Sequence, residues 1–200
     1  MNRRALLASG IILAGGGLAG CLGRGASGME GDVPEPVDLS GGKYDDHGGM
    51  VIGRHGGANG QVFYAENAPD RGENPAWFHT LVFGLFPYHF ERLDRGWEAR
   101  VVYVTDFSQV EYELTERDGR LQMPAPTAAE TFGEAAGLTY VAESEVMGGM
   151  GPALHPFSDE ADAEAFAAEH DGIALSFEEI DPVIVERLQR GSGHGHDHDE

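Results

Sequence analysis

Residues 145–157, EVMGGMGPALHPF, place two methionines and a histidine in a stretch of glycine and proline. Methionine ordinarily fills gaps in a core, yet a Gly-Gly segment does not build a regular buried element. Two expectations follow. Either Met147 and Met150 plug a gap beneath a loop, or their thioethers are soft donors on permissive backbone for a soft metal ion, with Cu(I) the natural candidate. His155 would add an imidazole. A second Gly-Gly-Met occurs upstream, Gly48-Gly49-Met50, with His47 just before it. The set Met50, Met150, Met147, His47 and His155 is the candidate metal site.

Other chemistries are poorly represented. The chain has no G-x-S-x-G, no P-loop and no H-E-x-x-H, the patterns that would signal nucleophilic, phosphate or zinc-hydrolytic catalysis. Acidic residues are so numerous that adjacent pairs such as Glu178 and Glu179 carry no information, and a non-enzymatic role is expected. Cys21 is the only cysteine. Lipidation there would leave no thiol, which removes a cysteine nucleophile, a disulfide and every thiolate metal site.

Charge narrows the partners. Thirty-four acidic residues against thirteen basic ones give a formal charge of −21, and Lys43 is the only lysine. Nucleic acid requires cationic patches, so no nucleic-acid partner is expected. Heavy acidity with almost no lysine suits a protein of molar salt, where the Debye length falls to about 3 Å and self-repulsion is screened. The composition predicts a halophilic source.

The segments that must position the candidate donors lie between two distinctive ends. Arg3 and Arg4 precede an apolar stretch, residues 5–19, too short to span a bilayer, which takes about 20 residues. Leu18-Ala19-Gly20-Cys21 reads as a lipobox, predicting removal of residues 1–20 and a membrane anchor on Cys21, with Tat or Sec export left open. Residues 21–42 read as a Gly/Pro/Asp-rich tether. Residues 191–200, GSGHGHDHDE, form a low-complexity tail in which His194, His196 and His198 are an accessory metal-binding set for Cu(II), Zn or Ni.

Between these ends the chain repeats a pattern, predicting an α+β fold of two β-β-α-β units. In the first, residues 43–135 with a linker, Val51-Ile52 and Val62-Phe63-Tyr64 suit short strands. Asn74-Pro75 is an N-cap and N1 pair that predicts a helix from Trp77 onward, kinked at Pro87 and ended at Gly96. Val101-Val102-Tyr103-Val104 closes the unit. In the second, residues 136–190, Tyr140-Val141 is a strand and a helix opens near Ser158. Its first turn holds Asp159, Glu160 and Asp162. Ala163, Phe166, Ala167 and His170 form one apolar face, and Gly172 is the expected C′ residue. His79 and His89 read as ordinary partly buried histidines of the first helix, Met123 as a linker residue, and Asp106 as a turn cap or the orienting partner of a ligand histidine.

The segment VMGGMGPALHPFSDEADAEAFAAEHDGIALSFEEI resembles the C-terminal signature of the NosL lipoproteins, accessory copper proteins of nitrous oxide reductase. That signature runs from a Gly-x-Met-Gly loop through Pro-Phe and an acidic Ala-rich helix to a strand ending near Phe-x-x-Ile. GGMVIGRHGGANGQVFYAEN and WEARVVYVTD resemble the family's N-terminal motif and central strand. The resemblance implies two β-β-α-β units related to treble-clef and organomercurial-lyase domains. It also implies a lipid-anchored Cu(I) chaperone that serves apo nitrous oxide reductase and its copper-site maturation machinery in denitrification. Family members commonly carry cysteines where this chain has Asp45 and Gly48, and some carry Met where it has Phe107. Met50 and Met150 match family positions directly; His47, Met147 and His155 are the local substitutes. Two other functions fit the residues: a docking lipoprotein in reductase assembly that binds no metal, and a Zn, Ni or Cu(II) scavenger working through the tail.

Overall fold

The computed structural model describes residues 33–191. The lipobox cysteine Cys21 and the tail histidines lie outside the described residues.

The first described residues are docked, unlike the tether expected over 21–42. Leu39 is fully buried with Ile52, Phe63, Val101, Tyr103 and Phe132. The amide of Gln61 exchanges hydrogen bonds with the backbone of Val37 in both directions, at 2.9 Å each, and the Tyr103 hydroxyl donates to the Pro34 carbonyl. Val37 and Leu39 supply apolar surface that composition alone hid among proline and aspartate; Gln61 satisfies the backbone of Val37, Tyr103 the carbonyl of Pro34, and the Leu39 N–H donates to the Thr127 carbonyl.

From here the chain builds β1 (Gly60–Tyr64) and β2 (Ala76–Phe78). Val51 makes only an isolated bridge to Tyr44. The helix expected at Asn74 begins later. The Asn74 side chain is committed to the β1–β2 loop, accepting from the Tyr64 N–H and donating to the Tyr64 and Asn67 carbonyls. Residues 76–78 pair with β1 instead. Thr80, whose hydroxyl accepts from the Phe83 N–H, opens a π-helical turn at Leu81–Leu85 that continues into α1 (Phe86–Asp94). Pro87 lies at the second position of α1, inside the helical run that begins at Leu81, and the Val82 carbonyl five residues before it accepts from the Gln189 amide instead. Gly96, at φ +82°, follows the end of α1.

The chain returns as β3 (Ala99–Thr105). A small hairpin, β4 (Thr115–Arg117) and β5 (Arg120–Gln122), precedes β6 (Phe132–Glu134). Next come β7 (Thr139–Ala142), the tight hairpin β8 (Met147–Gly148) and β9 (Gly151–Pro152), β10 (His155–Phe157), α2 (Glu160–Glu169), β11 (Ile173–Ser176) and α3 (Pro182–Gly191). Asp159 caps α2 by accepting from the Ala161 N–H. Asp171, not Gly172, takes the positive φ after it. Gly172 is needed for a different reason, since a Cβ there would overlap Val141.

Three sheets result: β2-β1-β3-β6, β10-β7-β11 and β4-β5-β8-β9. In each of the first two, the opening strand is central and a strand-helix-strand passage flanks it on both sides. One core spans both halves, with Val62, Phe78, Leu85 and Phe86 joining Tyr140, Leu154, Phe157 and Leu188. The third sheet ties the halves together through a parallel pairing of Gln122 with Met147. Met123 is its buried joint rather than a linker residue. It is 1% exposed, its N–H donates to the Met147 carbonyl and its carbonyl accepts from Gly57.

Candidate metal centre

Asp45 organises one end of the molecule. It occupies the turn that Asp45 and Met50 close, with the Asp45 N–H donating to the Met50 carbonyl at 2.8 Å and the Gly49 N–H to the Asp45 carbonyl. One carboxylate oxygen accepts from the N–H groups of His47 and Gly48 at 2.7 Å each. The other accepts from the His79 N–H at 2.8 Å and lies 2.6 Å from His79 Nδ1. Burial works against this carboxylate's charge, but hydrogen bonds from the His79 ring and from the Gly48, His79 and His47 backbone outweigh it and hold the carboxyl below its usual range.

A carboxylate only accepts, so His79 Nδ1 carries the hydrogen, and in the neutral ring Nε2 presents a lone pair. That Nε2 is buried and has no hydrogen-bond partner. An unmet acceptor inside a protein is costly, and a carboxylate that fixes the tautomer and aim of an imidazole is how metal-ligating histidines are commonly oriented. His79 stands directly after β2, not in the helix, and 34 residues of sequence separate it from Asp45.

Two glycine segments bring the second half of the chain to this place. Gly149 donates its N–H to the Gly56 carbonyl, and a Cβ on Gly149 would overlap the Cβ of His55. A Cβ on Gly57 would stand 3.0 Å from the Gly148 Cα. The β8–β9 hairpin is thus pressed flat against residues 55–57, an approach only glycine permits. His55 meets the His79 ring edge-on, centroids 6.1 Å apart. Met150, at the hairpin tip and 42% exposed, lines a narrow crevice with Gly56, Gly57, Thr80 and Leu81, next in sequence to His79. Met50 is half-buried on the Asp45 turn, and His47 is exposed with its ring against Tyr88, centroids 6.2 Å apart.

The other candidates stand elsewhere. Met147 opens the hairpin, half-buried, and its carbonyl accepts from Met123. His155 lies in the core at 0% exposure, between Phe107 and Phe166, with Nε2 donating to the Val146 carbonyl at 3.0 Å. Burial pushes it down to about 4. Strand β10 is buried along its whole length, as is Leu154 before it, and this packing rather than any alternation places His155 in the core. His89 is the buried helix histidine expected, bonded to the Tyr64 hydroxyl and lowered by burial to about 4. Asp106 caps turns: it accepts from Ser108, Ser158 and Gln109.

Among the described residues, no three His, Cys, Asp or Glu side chains converge as a metal-binding group. Methionine sulfur is the other soft donor at this end, on Met150 and Met50, and thioether donors select soft ions.

Sequence sources for His79 and His55 were weak, because neither sits in a ligand-like spacing. The one clue was the Asp45 turn, whose partner only folding reveals.

Comparison with known proteins agrees with this architecture. The structure is similar to the crystal structure of the copper chaperone NosL from Shewanella denitrificans, with a TM-score of 0.54 and 23% identity over 72% of this chain and 94% of that one. The sequence is 38% identical over 66 residues to the copper-binding lipoprotein NosL of Stutzerimonas stutzeri, a match spanning 32% of this chain and 35% of that protein. The NosL family profile matches residues 36–185, and the chain belongs to the NosL family.

Proposed function

We propose that the protein binds Cu(I) at the Asp45–His79 end and passes it to apo nitrous oxide reductase from a lipid anchor at Cys21. The observation that carries the metal reading is the buried, unpartnered His79 Nε2, aimed by Asp45 and flanked by His55 and the Met150 hairpin. His79 is the central ligand. Met150 and Met50 supply thioethers, and His55, His47 and Met147 are the neighbours available to complete the set. Asp45 takes the place of a family cysteine and acts on copper through His79, not by contact.

A site of thioether and imidazole on a half-exposed hairpin holds Cu(I) without enclosing it. The ion can then leave by ligand exchange to an acceptor's histidines. The copper-binding and chaperone descriptions of the relatives support the same cargo. Methionine sulfur is the argument for Cu(I). Nitrous oxide reductase as recipient rests on the sequence resemblance. We further infer that the two β-β-α-β units are an internal duplication. The shared strand order, with β2-β1-β3 matching β10-β7-β11, supports it, and so does a Gly-Gly-Met at each unit's metal-facing loop.

Competition titration with a chromophoric Cu(I) chelator tests the site. His79→Ala and Met150→Ala should each weaken Cu(I) binding at least about tenfold, with Zn(II) binding weak in all variants. Wild-type affinity in both variants would remove the site from this end of the molecule.

A further inference from the structure

One buried polar pair takes no part in holding the metal. The Tyr64 hydroxyl, on β1, lies 3.2 Å from Nδ1 of His89, on α1. Tyr64 is 1% exposed and His89 6%. A phenol hydrogen left without an acceptor at this depth would be costly. The Tyr64 O–H therefore donates, Nδ1 accepts, and the His89 hydrogen is on Nε2. Burial pushes the Tyr64 phenol up and the His89 ring down to about 4, so both stand neutral at pH 7.

Aromatic rings join this pair to the metal turn. Tyr88 meets His47 edge-on, centroids 6.2 Å apart, and Phe78, the residue before His79, at 5.1 Å. Tyr64 follows Tyr88 at 6.5 Å, and the half-buried Trp97 follows Tyr64 at 5.0 Å. These are the spacings of rings in contact, and a contiguous ring series lets an electron move in short steps rather than one long one. A buried tyrosine that gives up an electron must also give up its proton, because a charge left in the interior is expensive. Tyr88 has no base for that proton. Its hydroxyl is buried without a hydrogen-bond partner, and the group stacked on its ring at 4.1 Å is the Arg92 guanidinium, which accepts nothing. Tyr64 has His89.

Resting on the Cu(I) site proposed above, we propose that Tyr64 and His89 are a proton-coupled redox pair that draws oxidising equivalents away from Met50 and Met150 by way of Tyr88. The oxidant is hydrogen peroxide meeting Cu(I). Cu(I) and Tyr64 each give one electron, and the peroxide O–O bond breaks to give two hydroxide ions. Cu(I) becomes Cu(II). The Tyr64 O–H bond breaks, its proton moves to His89 Nδ1, and a neutral tyrosyl radical remains. A one-electron reductant such as ascorbate returns the electron through Trp97, and His89 returns the proton. Without the pair, the second oxidising equivalent falls on methionine sulfur and starts its conversion to sulfoxide.

Full-length protein loaded with Cu(I) is mixed with equimolar hydrogen peroxide, freeze-quenched and read by electron paramagnetic resonance, with peptide mass spectrometry for methionine sulfoxide. Tyr64→Phe keeps the ring and removes the hydroxyl, and His89→Leu removes the base. Tyr44→Phe, at an exposed tyrosine, controls for stray oxidation. The expected result is a tyrosyl radical in wild type and Tyr44→Phe and its loss in Tyr64→Phe and His89→Leu. Sulfoxide at Met50 and Met150 should rise in those last two chains. A radical of wild-type strength in Tyr64→Phe overturns the pair, as does equal sulfoxide in every chain. The same chains without metal, oxidised by flash-generated ruthenium(III) tris(bipyridine), should show the same order of radical yield. No radical in either reaction overturns the pair. A Tyr64 radical with ruthenium but none with Cu(I) and peroxide defeats the metal site and leaves the pair standing.

Discussion

Asp45→Asn changes one oxygen to an amide nitrogen at the position that aims the metal ligand. The surviving carbonyl oxygen can still accept from His47 and Gly48, so the 45–50 turn is kept. The amide NH2 then faces two donors, the His79 N–H and Nδ1–H, which Asp45 now receives at 2.8 and 2.6 Å. Both are buried, with His79 only 3% exposed. Hydrogen bonds to a charged acceptor contribute about 1.5–3 kcal/mol each, and stranding a buried donor costs about 1–3 kcal/mol. His79 can recover one bond by switching tautomer, but that puts its hydrogen on Nε2 and removes the lone pair a metal needs. The apo protein should lose about 2–4 kcal/mol, a fall of roughly 4–16 °C in melting temperature for a domain of this size. Cu(I) affinity should fall about 10–100-fold, as for loss of an orienting partner behind a metal-bound imidazole. Thermal unfolding of the apo form and chelator competition give both numbers. Lower stability with unchanged Cu(I) affinity would refute the argument, since Asp45 would then be a structural carboxylate and His79 no ligand.

Methionine positions divide by burial. Met150→Ala, at a 42% exposed side chain, should leave the melt within about 1 kcal/mol of wild type while weakening Cu(I). Met123→Ala, at 1% exposure, should cost about 2–5 kcal/mol and leave copper affinity nearly untouched; urea unfolding and copper titration of the pair decide between donor and gap-filler. Gly149→Ala has no room beside His55 and should cost about 1–3 kcal/mol while displacing the hairpin, read as loss of both stability and affinity. His89 and His155 are held near 4 in the fold but titrate near about 6.5 when unfolded. The unfolded chain therefore binds more protons between those values, and stability is full above about pH 6.5 and lost as pH falls toward 4. Each histidine should cost about 2 kcal/mol between pH 7 and pH 5. Denaturant midpoints across that range should shift less in His89→Leu, and a flat wild-type profile would contradict the burial of both rings.

Sequence by itself determined the local features of this protein. The acidic helix Glu160–Glu169, whose cap proved to be Asp159 where the sequence put that residue in the first turn, the buried strands around Val62, Val104 and Tyr140, the α+β class and the family were legible, because periodicity, charge placement and Gly-x-Met loops act over a few residues. The paired Gly-Gly-Met segments were legible too. What they are for was decided in three dimensions. Gly149 is required by His55, ninety-four positions away, and Asp45 meets His79 across the β2 edge. Neither contact leaves a mark in local spacing. His155 shows the converse: a histidine beside a methionine loop looks like a ligand, but the packing of β10 buries it between aromatic rings. Backbone propensity is set by neighbours in sequence, whereas a metal centre needs donors from separate segments. Only the shared core that joins the two halves decides which donors meet.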